Sequence, residues 1–373
     1  MDRWFESKIG KINIKGRLLK YLHNFLTNRT FNVKYKETFS EKKNMEYGLP
    51  QGTILSPHLF NIMTMDLLEI LNENVTMYAD DLCMWESDID VNIAIDKVQT
   101  KINTTIEWMN KNGFKISKSK TKYIIFTHKR KYKLNNNIII GIEKIERVHH
   151  FKYLGLILDE KLDWNRHIQY IKNRCREKMT ILKYISHRKW GTNKHLIFKV
   201  YEAIIRSIID YGIFIYYPNL NNKNKLILDR IQYEAIRMAS GNLKNTIVEV
   251  LEGASGILPL KFRSKKLAFK FGIKRLSITI HKTTKELVKR SNITGENFIK
   301  YPLPVYGWIS KVIEESGIDL EKIECTKILY SKYPNIIYDT TLAKQQKKAI
   351  HQRKNHTRIF TKKNISTKII TIA

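Results

Sequence analysis

The chain has 373 residues, of which 43% are apolar and 11% aromatic. That composition excludes disorder over the whole length, and no apolar run approaches the ~18 residues of a membrane-spanning helix. Lys and Arg number 67 against 35 Asp and Glu, a net charge of +32, which excludes an acidic or neutral surface and calls for a polyanionic partner.

In chain order, the N-terminal Met1-Asp2-Arg3-Trp4-Phe5-Glu6 has no apolar core and does not read as a secretory signal. Residues Gly10 to Leu26 predict a helix with Ile12, Leu18, Leu19, Leu22 and Leu26 on one face, followed by a strand around Phe31–Tyr35. Ser56-Pro57 predicts a helix start, and the helix carrying Leu59, Phe60, Met63, Leu67 and Leu71 breaks at Asn72–Asn74. Val75–Trp85 predicts two short strands folded about Asp80-Asp81. A helix with Ile95, Val98, Ile102, Ile106 and Met109 then runs to Asn112-Gly113. Strands follow at Tyr123–Thr127, Ile138–Ile142 and Tyr153–Leu158.

After Trp164 the apolar period becomes helical, through Ile168, Ile171, Cys175, Met179, Leu182 and Ile185 and two further runs at His195–Ile209 and Lys223–Ala239. Past Leu260 the pattern weakens into short helices and a tail, with one amphipathic stretch at Val305–Ile313. The chain therefore opens as mixed α/β and continues as a helical unit. Its positive surplus is steepest late: Lys261 to Arg290 holds eleven basic residues and one acid, Glu286, and Thr341 to Ala373 holds nine and none. Nucleic acid is the partner this charge favours, against a merely solvated basic surface or a codon bias towards Lys and Asn. Cys83, Cys175 and Cys325 lie too far apart to form a disulfide framework or a metal-ligand pair, which predicts a reducing, intracellular setting, cytoplasm or nucleus.

Tyr78-Ala79-Asp80-Asp81 carries the sharpest chemical signal. Two adjacent carboxylates among Met77, Leu82, Cys83 and Met84 are costly unless a cation or donors satisfy them. Mg²⁺ takes such hard oxygens and keeps open positions for phosphates, and a pair of ions can clamp an in-line phosphoryl displacement. The bland alternative is an Asp-Asp surface turn. Upstream, Gly48-Leu49-Pro50-Gln51-Gly52-Thr53 combines two permissive glycines with an amide that can donate and accept, or it is an ordinary loop before a helix. His149 and His150 read as polar strand-edge residues.

These segments carry a family resemblance. Gly48–Asn61 followed by Tyr78–Asp81 resembles motifs B and C of reverse transcriptases, nearest to the Jockey-like non-LTR retrotransposon type. Trp108 with Asn112–Thr121 resembles the segment ending in the motif D lysine, Lys120. Phe151-Lys152-Tyr153-Leu154-Gly155 resembles motif E, and Leu158-Asp159 with Leu162-Asp163-Trp164 resembles the entry to the thumb. The likeness spans about residues 1–275.

The resemblance implies an α/β palm of the right-hand polymerase type with a remnant of fingers (1–158), an α-helical thumb (159–260) and a basic C-terminal extension (261–373). It implies an RNA-directed DNA polymerase joining dNTPs to a DNA primer on an RNA template, with Mg²⁺, or Mn²⁺ in its place, as cofactor and no membrane. Asp80 and Asp81 are the implied catalytic metal ligands, and Gly48, Pro50, Gln51 and Gly52 contact nucleotide and template. Lys120 sits by the leaving pyrophosphate, where an ordinary surface lysine is the alternative. Tyr153, Leu154 and Gly155 form the primer grip, where a plain hairpin contact is the alternative.

The sequence also departs from the family. Met1-Asp2-Arg3-Trp4-Phe5 resembles only the tail of motif A, whose metal-binding aspartate lies further upstream, so two carboxylates face the charge of two ions. The expectation is a polymerase of little activity as this chain, the alternative being an inactive nucleic-acid-binding remnant. Arg358–Ser366 has a faint likeness to the opening of a ribonuclease H-like domain, with Lys362 where an aspartate is expected, so no nuclease activity is expected.

Overall fold

The computed structural model describes residues 8, 14–45, 48–127, 129, 131–187, 191–277 and 305–318, and the backbone of 367–372. Two compact units emerge, one of Met1–His149 with Ser331–Ala373 and one of His150–Tyr330. Met1–Phe5, expected to resemble the tail of motif A, most of the basic C-terminal stretch, Cys325 and the 358–366 segment lie outside the described residues.

In the first unit, helix α1 spans Gly16–Leu26, with Leu22 and Leu26 buried against Leu59. The strand expected at Phe31–Tyr35 is instead divided between two small ribbons. Strands β1 (Thr30–Phe31) and β4 (Lys43–Asn44) pair, as do β2 (Lys34–Tyr35) and β3 (Thr38–Phe39). The division falls at Val33, whose N–H donates to Ser40 Oγ at 2.8 Å and whose carbonyl accepts from the Ser40 N–H.

Helix α2 spans Leu55–Leu71 and stops where Asn72 and Asn74 take positive φ (62° and 57°). Strands β5 (Val75–Tyr78) and β6 (Asp81–Asp88) form the predicted hairpin, β6 running three residues past the expected end. Helix α3 (Val91–Asn112) starts at Asp90, whose carboxylate accepts the Asn92 N–H, and stops at Gly113 in the left-handed conformation. Its buried Val91, Ile95, Val98, Ile102 and Trp108 recur every three to six residues, the stripe that a core-facing helix requires. Strand β7 covers Lys122–Phe126. The strand expected at Ile138–Ile142 shrinks to β8 (Ile139–Ile140), folded back on β9 (Glu143–Lys144) at Gly141, and β10 covers Glu146–Arg147.

The main sheet has the order β10-β7-β13-β6-β5, where β13 is Thr367–Ile372. Strand β13 runs antiparallel to both β6 and β7, so those two run parallel to each other with one strand between them. Leu82, Cys83 and Met84 on β6, and Tyr123, Ile124 and Ile125 on β7, are all buried. Consecutive burial of this kind marks strands covered on both faces.

The second unit opens with a hairpin of β11 (His150–Tyr153) and β12 (Leu156–Asp159). Sequence periodicity read Tyr153–Leu158 as one strand. Leu154 and Gly155 interrupt it with positive φ (44° and 85°) and turn the chain back. Helices α4 (Asn165–Ile185) and α5 (Lys194–Tyr201) follow, and a π-turn at Glu202–Arg206 leads into α6 (Ser207–Asp210). Then come α7 (Ile213–Tyr216), α8 (Asn222–Ser240) and α9 (Val248–Ser255).

The core of this unit joins Ile168, Ile171, Cys175 and Leu182 of α4 to Leu228, Ala235 and Ile236 of α8, with Tyr201 and Tyr216 fully buried among them. Past Leu260 the expected short helices are instead one 17-residue helix, α10 (Leu260–Leu276). Its inward positions include Ser264, Ala268 and Gly272, too small to register as an apolar stripe, and α11 (Val305–Glu315) packs there through Ile309 and Ile313.

The π-turn aims a charged residue inward. Arg206 is 4% exposed; its guanidinium donates to Asp210 Oδ1 (3.2 Å), Gln232 Oε1 (2.5 Å) and the Leu258 carbonyl (2.9 Å). Asp210 Oδ2 also accepts from Arg263 Nε and Nη2, at 2.9 and 2.6 Å.

Candidate active site

Pairing of Tyr78 with Asp81 leaves a two-residue turn, Ala79-Asp80, in which Ala79 is held at a φ of 52°. A side-chain-bearing residue in that region costs of order 1 kcal/mol or more and persists only where its surroundings fix it. Here Leu82, Cys83 and Met84 do so by anchoring β6 in the core. Asp80 stands exposed at the tip and Asp81 is half-buried at the first residue of β6. Neither carboxylate forms an ion pair or side-chain hydrogen bond among the described residues. Their oxygens suit a hard divalent cation in kind. In number they fall short: among the described residues no group of three metal-capable side chains converges anywhere.

The loop before α2 is tied down at both ends. Arg29 Nη2 donates to the Gly48 carbonyl at 2.7 Å, and Ser56 Oγ donates to the Pro50 carbonyl at 2.5 Å. The helix predicted to start at Ser56-Pro57 begins at Leu55, without a side-chain cap; the Ser56 hydroxyl is spent on the loop, and Thr53 Oγ1 accepts the Ser56 N–H at 3.2 Å. Gly48 and Gly52 both have positive φ (82° and 85°), and Gln51 between them is exposed at the tip. A fixed loop thus presents a free amide.

Lys120 occupies the exposed turn before β7. Lys118 and Lys122 on either side are paired with Glu143 and Glu146, whereas Lys120 has no ion pair among the described residues. The sheet register places it. Ile372 of β13 lies opposite Cys83 on one side and Lys122 on the other. The Asp80-Asp81 turn and Lys120 therefore share one end of the sheet, about two strand spacings or roughly 10 Å apart.

Tyr153, Leu154 and Gly155 belong to the second unit, at the turn of β11–β12. Tyr211 fixes that turn, its hydroxyl donating to the Leu154 carbonyl at 2.6 Å. A Cβ on Gly155 would stand 2.8 Å from Tyr211 Cε1, so the ring and a φ of +85° both demand glycine there. Asp159 closes the other end of the hairpin, accepting the N–H groups of Lys161, Asp163 and Trp164 at 3.0–3.1 Å. Leu158-Asp159 and Leu162-Asp163-Trp164 thus form one hydrogen-bonded corner leading into α4.

His167 lies beneath this hairpin, 2% exposed, with its Nδ1 accepting the Ile157 N–H at 3.3 Å. Burial pushes its pKa from the usual 6.5 down to about 4. The folded state holds the ring neutral, so the stability it contributes is full above about pH 6.5 and drains away as pH falls towards 4. A loss of roughly 3 kcal/mol by pH 4 is the ceiling. The urea midpoint of the second unit, compared at pH 7 and pH 4.5, should fall more steeply for the parent than for His167→Phe.

Basic side chains also gather between α4 and α8. A cavity of about 440 Å³ is lined by Lys172, Arg176, Lys183 and Arg230, with Glu234 as its one acid. Such a groove attracts a polyanion. Tyr211 escaped sequence reasoning because its partner lies 57 residues away.

Residues 4–158 match the family model described as reverse transcriptase (RNA-dependent DNA polymerase). An RNA-directed DNA polymerase from mobile element jockey of Drosophila funebris is 26% identical over 214 residues, covering 54% of this chain and 23% of that protein. A probable RNA-directed DNA polymerase from transposon BS of Drosophila melanogaster is 26% identical over 223 residues, 57% of this chain and 25% of that one. A retrovirus-related Pol polyprotein from type-1 retrotransposable element R1 of Nasonia vitripennis is 23% identical over 221 residues, 57% and 65% respectively. The chain spans about a quarter of the length of the first two. No helix among the described residues is long and apolar enough to cross a membrane.

Proposed function

We propose, from the match of residues 4–158 to the reverse transcriptase family model, that the chain is the palm-and-thumb part of a non-LTR retrotransposon RNA-directed DNA polymerase. Its partners in this reading are an RNA template, a DNA primer and dNTPs. The observation that carries it is the strained Ala79-Asp80 turn, with Asp80 at its tip and Asp81 just after it, two carboxylates that no side chain among the described residues satisfies.

Each residue then has a task. Asp80 and Asp81 would hold divalent metal, Mg²⁺ or Mn²⁺, which when bound neutralises phosphate charge and acidifies the primer hydroxyl. Gln51, with Gly48, Pro50 and Gly52 shaping its loop, orients the incoming nucleotide against the template. Lys120 offers a cation to the departing pyrophosphate from the same end of the sheet. Tyr153, Leu154 and Gly155 seat the primer strand, and the groove between α4 and α8 takes backbone phosphates of the duplex.

The short carboxylate count supports a second reading, a protein that binds primer–template with little or no chemistry of its own. Primer extension on an RNA template in Mg²⁺, comparing the 373-residue chain with Asp80→Asn/Asp81→Asn, separates the two. The expected result is negligible extension and salt-sensitive primer–template binding by both proteins. Robust extension that the double substitution abolishes would refute the impaired reading and require a third carboxylate at the turn.

A further inference from the structure

Strand β13 sits in the middle of the main sheet, yet it is remote in sequence from both of its neighbours. Those neighbours belong to one continuous segment, Asp81–Phe126, in which β6 leads through α3 into β7. The segment sets β6 and β7 parallel and leaves room for one strand between them, two strand spacings or roughly 10 Å. Every position of Thr367–Ile372 pairs with β6, from Asp88 to Cys83. Lys368–Ile372 also pair with β7, from Phe126 to Lys122.

This slot is selective. Its occupant must run antiparallel to both neighbours and must be free of proline, which would remove a ladder bond on one side or the other. The tract Thr-Lys-Ile-Ile-Thr-Ile meets both terms, with five β-branched residues of six and neither glycine nor proline. The slot must also be filled, because β6 and β7 are buried on both faces and an empty slot opens two edges at once.

A backbone ladder does not distinguish which copy of the chain supplies the strand. Strand β13 of a second copy makes the same pairs in the same register. The chain's own β13 closes on β7 across about 240 residues, which limits the effective concentration of the tethered strand to about 1 mM or less. A second copy near that concentration competes evenly, because the closed and exchanged forms bury the same surface.

We infer that the slot between β6 and β7 is a strand-exchange surface whose partner is a second copy of this chain, each copy seating its Thr367–Ile372 strand in the other's sheet. The exchanged strand runs between the Asp80-Asp81 turn and Lys120, with Ile372 opposite Cys83 and Lys122. Each copy thus supplies the strand that spaces the other's candidate site. The inference stands on the sheet topology and does not depend on the polymerase reading.

The test opens the full chain in urea and returns it to buffer over a series of concentrations. Moderate salt keeps the net charge of +32 from opposing encounter. Light scattering after size separation should find roughly tenfold more dimer for each tenfold rise in concentration up to about 1 mM, and the dimer should persist on dilution. A crosslink then identifies the strand. A chain with Ile372→Cys and Cys83→Ser, unable to close on itself at that pair, is returned together with the parent, which keeps Cys83. Dimers of the mixture should form an interchain disulfide that peptide mass spectrometry maps to Cys83 of the parent and position 372 of the variant. The single variant Ile372→Cys reports folding, since at about 1 µM it should close that disulfide within one chain.

Dimer without the mapped crosslink, while the single variant still closes internally, would place the association elsewhere and overturn the exchange. A chain that returns as monomer at every concentration would overturn it as well.

Discussion

Arg206→Ala should destabilise the helical unit by about 3–5 kcal/mol, the usual result of removing one partner from a buried charged network. The guanidinium ties the π-turn to α6 through Asp210, to α8 through Gln232 and to the approach of α10 through the Leu258 carbonyl. Alanine leaves a cavity, and it leaves Gln232 Oε1 with only the Tyr201 hydroxyl and the Leu258 carbonyl with only Gln232 Nε2, each at 3.4 Å. Asp210 retains Arg263, so its charge is not abandoned. Arg206→Met fills most of the space and should cost clearly less. With two units the whole chain is not a two-state system. Hydrogen exchange of the α4 and α8 amides under native conditions is therefore the measurement. Equal protection in the alanine variant and the parent would mean that the network is ornamental.

Ile370→Pro should disrupt the main sheet. Ile370 pairs with Trp85 of β6 on one side and with Ile124 of β7 on the other, and proline in a central strand removes a ladder bond and crowds its neighbours. Without β13, the buried strands β6 and β7 present open edges, the kind of surface that templates aggregation. The expected outcome is loss of exchange protection at Leu82–Trp85 and Tyr123–Ile125, with dye-detectable apolar exposure, while α4 and α8 keep theirs. A crosslink offers an independent check. Ile372 lies opposite Cys83, a spacing within disulfide reach, so Ile372→Cys should form an internal disulfide with Cys83 on mild oxidation.

The carboxylate turn was legible in the sequence because its determinants are local. Apolar residues flank two aspartates at hairpin spacing, and the structure places Asp80 at the tip. Helix α3 was legible for the same reason, from a clean apolar period that ends at Asn112-Gly113. The missed features are long-range or off-period. A strand that sits between β6 and β7 from the far end of the chain has no local signal. The run at His195–Ile209 looked like one helix, and nothing in its period announced the extra residue of the π-turn that swings Arg206 inward. The β11–β12 turn was hidden because Leu154 is an unusual residue at positive φ, tolerated there through a bond from Tyr211 that no local pattern encodes.

The split of the first unit between Met1–His149 and Ser331–Ala373 has a kinetic consequence. Strand β13 closes on β7 across about 240 residues of chain, a loop whose closure entropy is roughly 5 kcal/mol, whereas β5 and β6 meet across a two-residue turn. The helical unit, built from contacts among near neighbours, should gather before such a closure takes place. Sheet completion then becomes the late step of folding, and refolding experiments should see helix signal return well before the amides of β6 and β7 become protected. Until that step, β6, the strand that begins at Asp81, has its inner edge open to any extended segment that can pair with it.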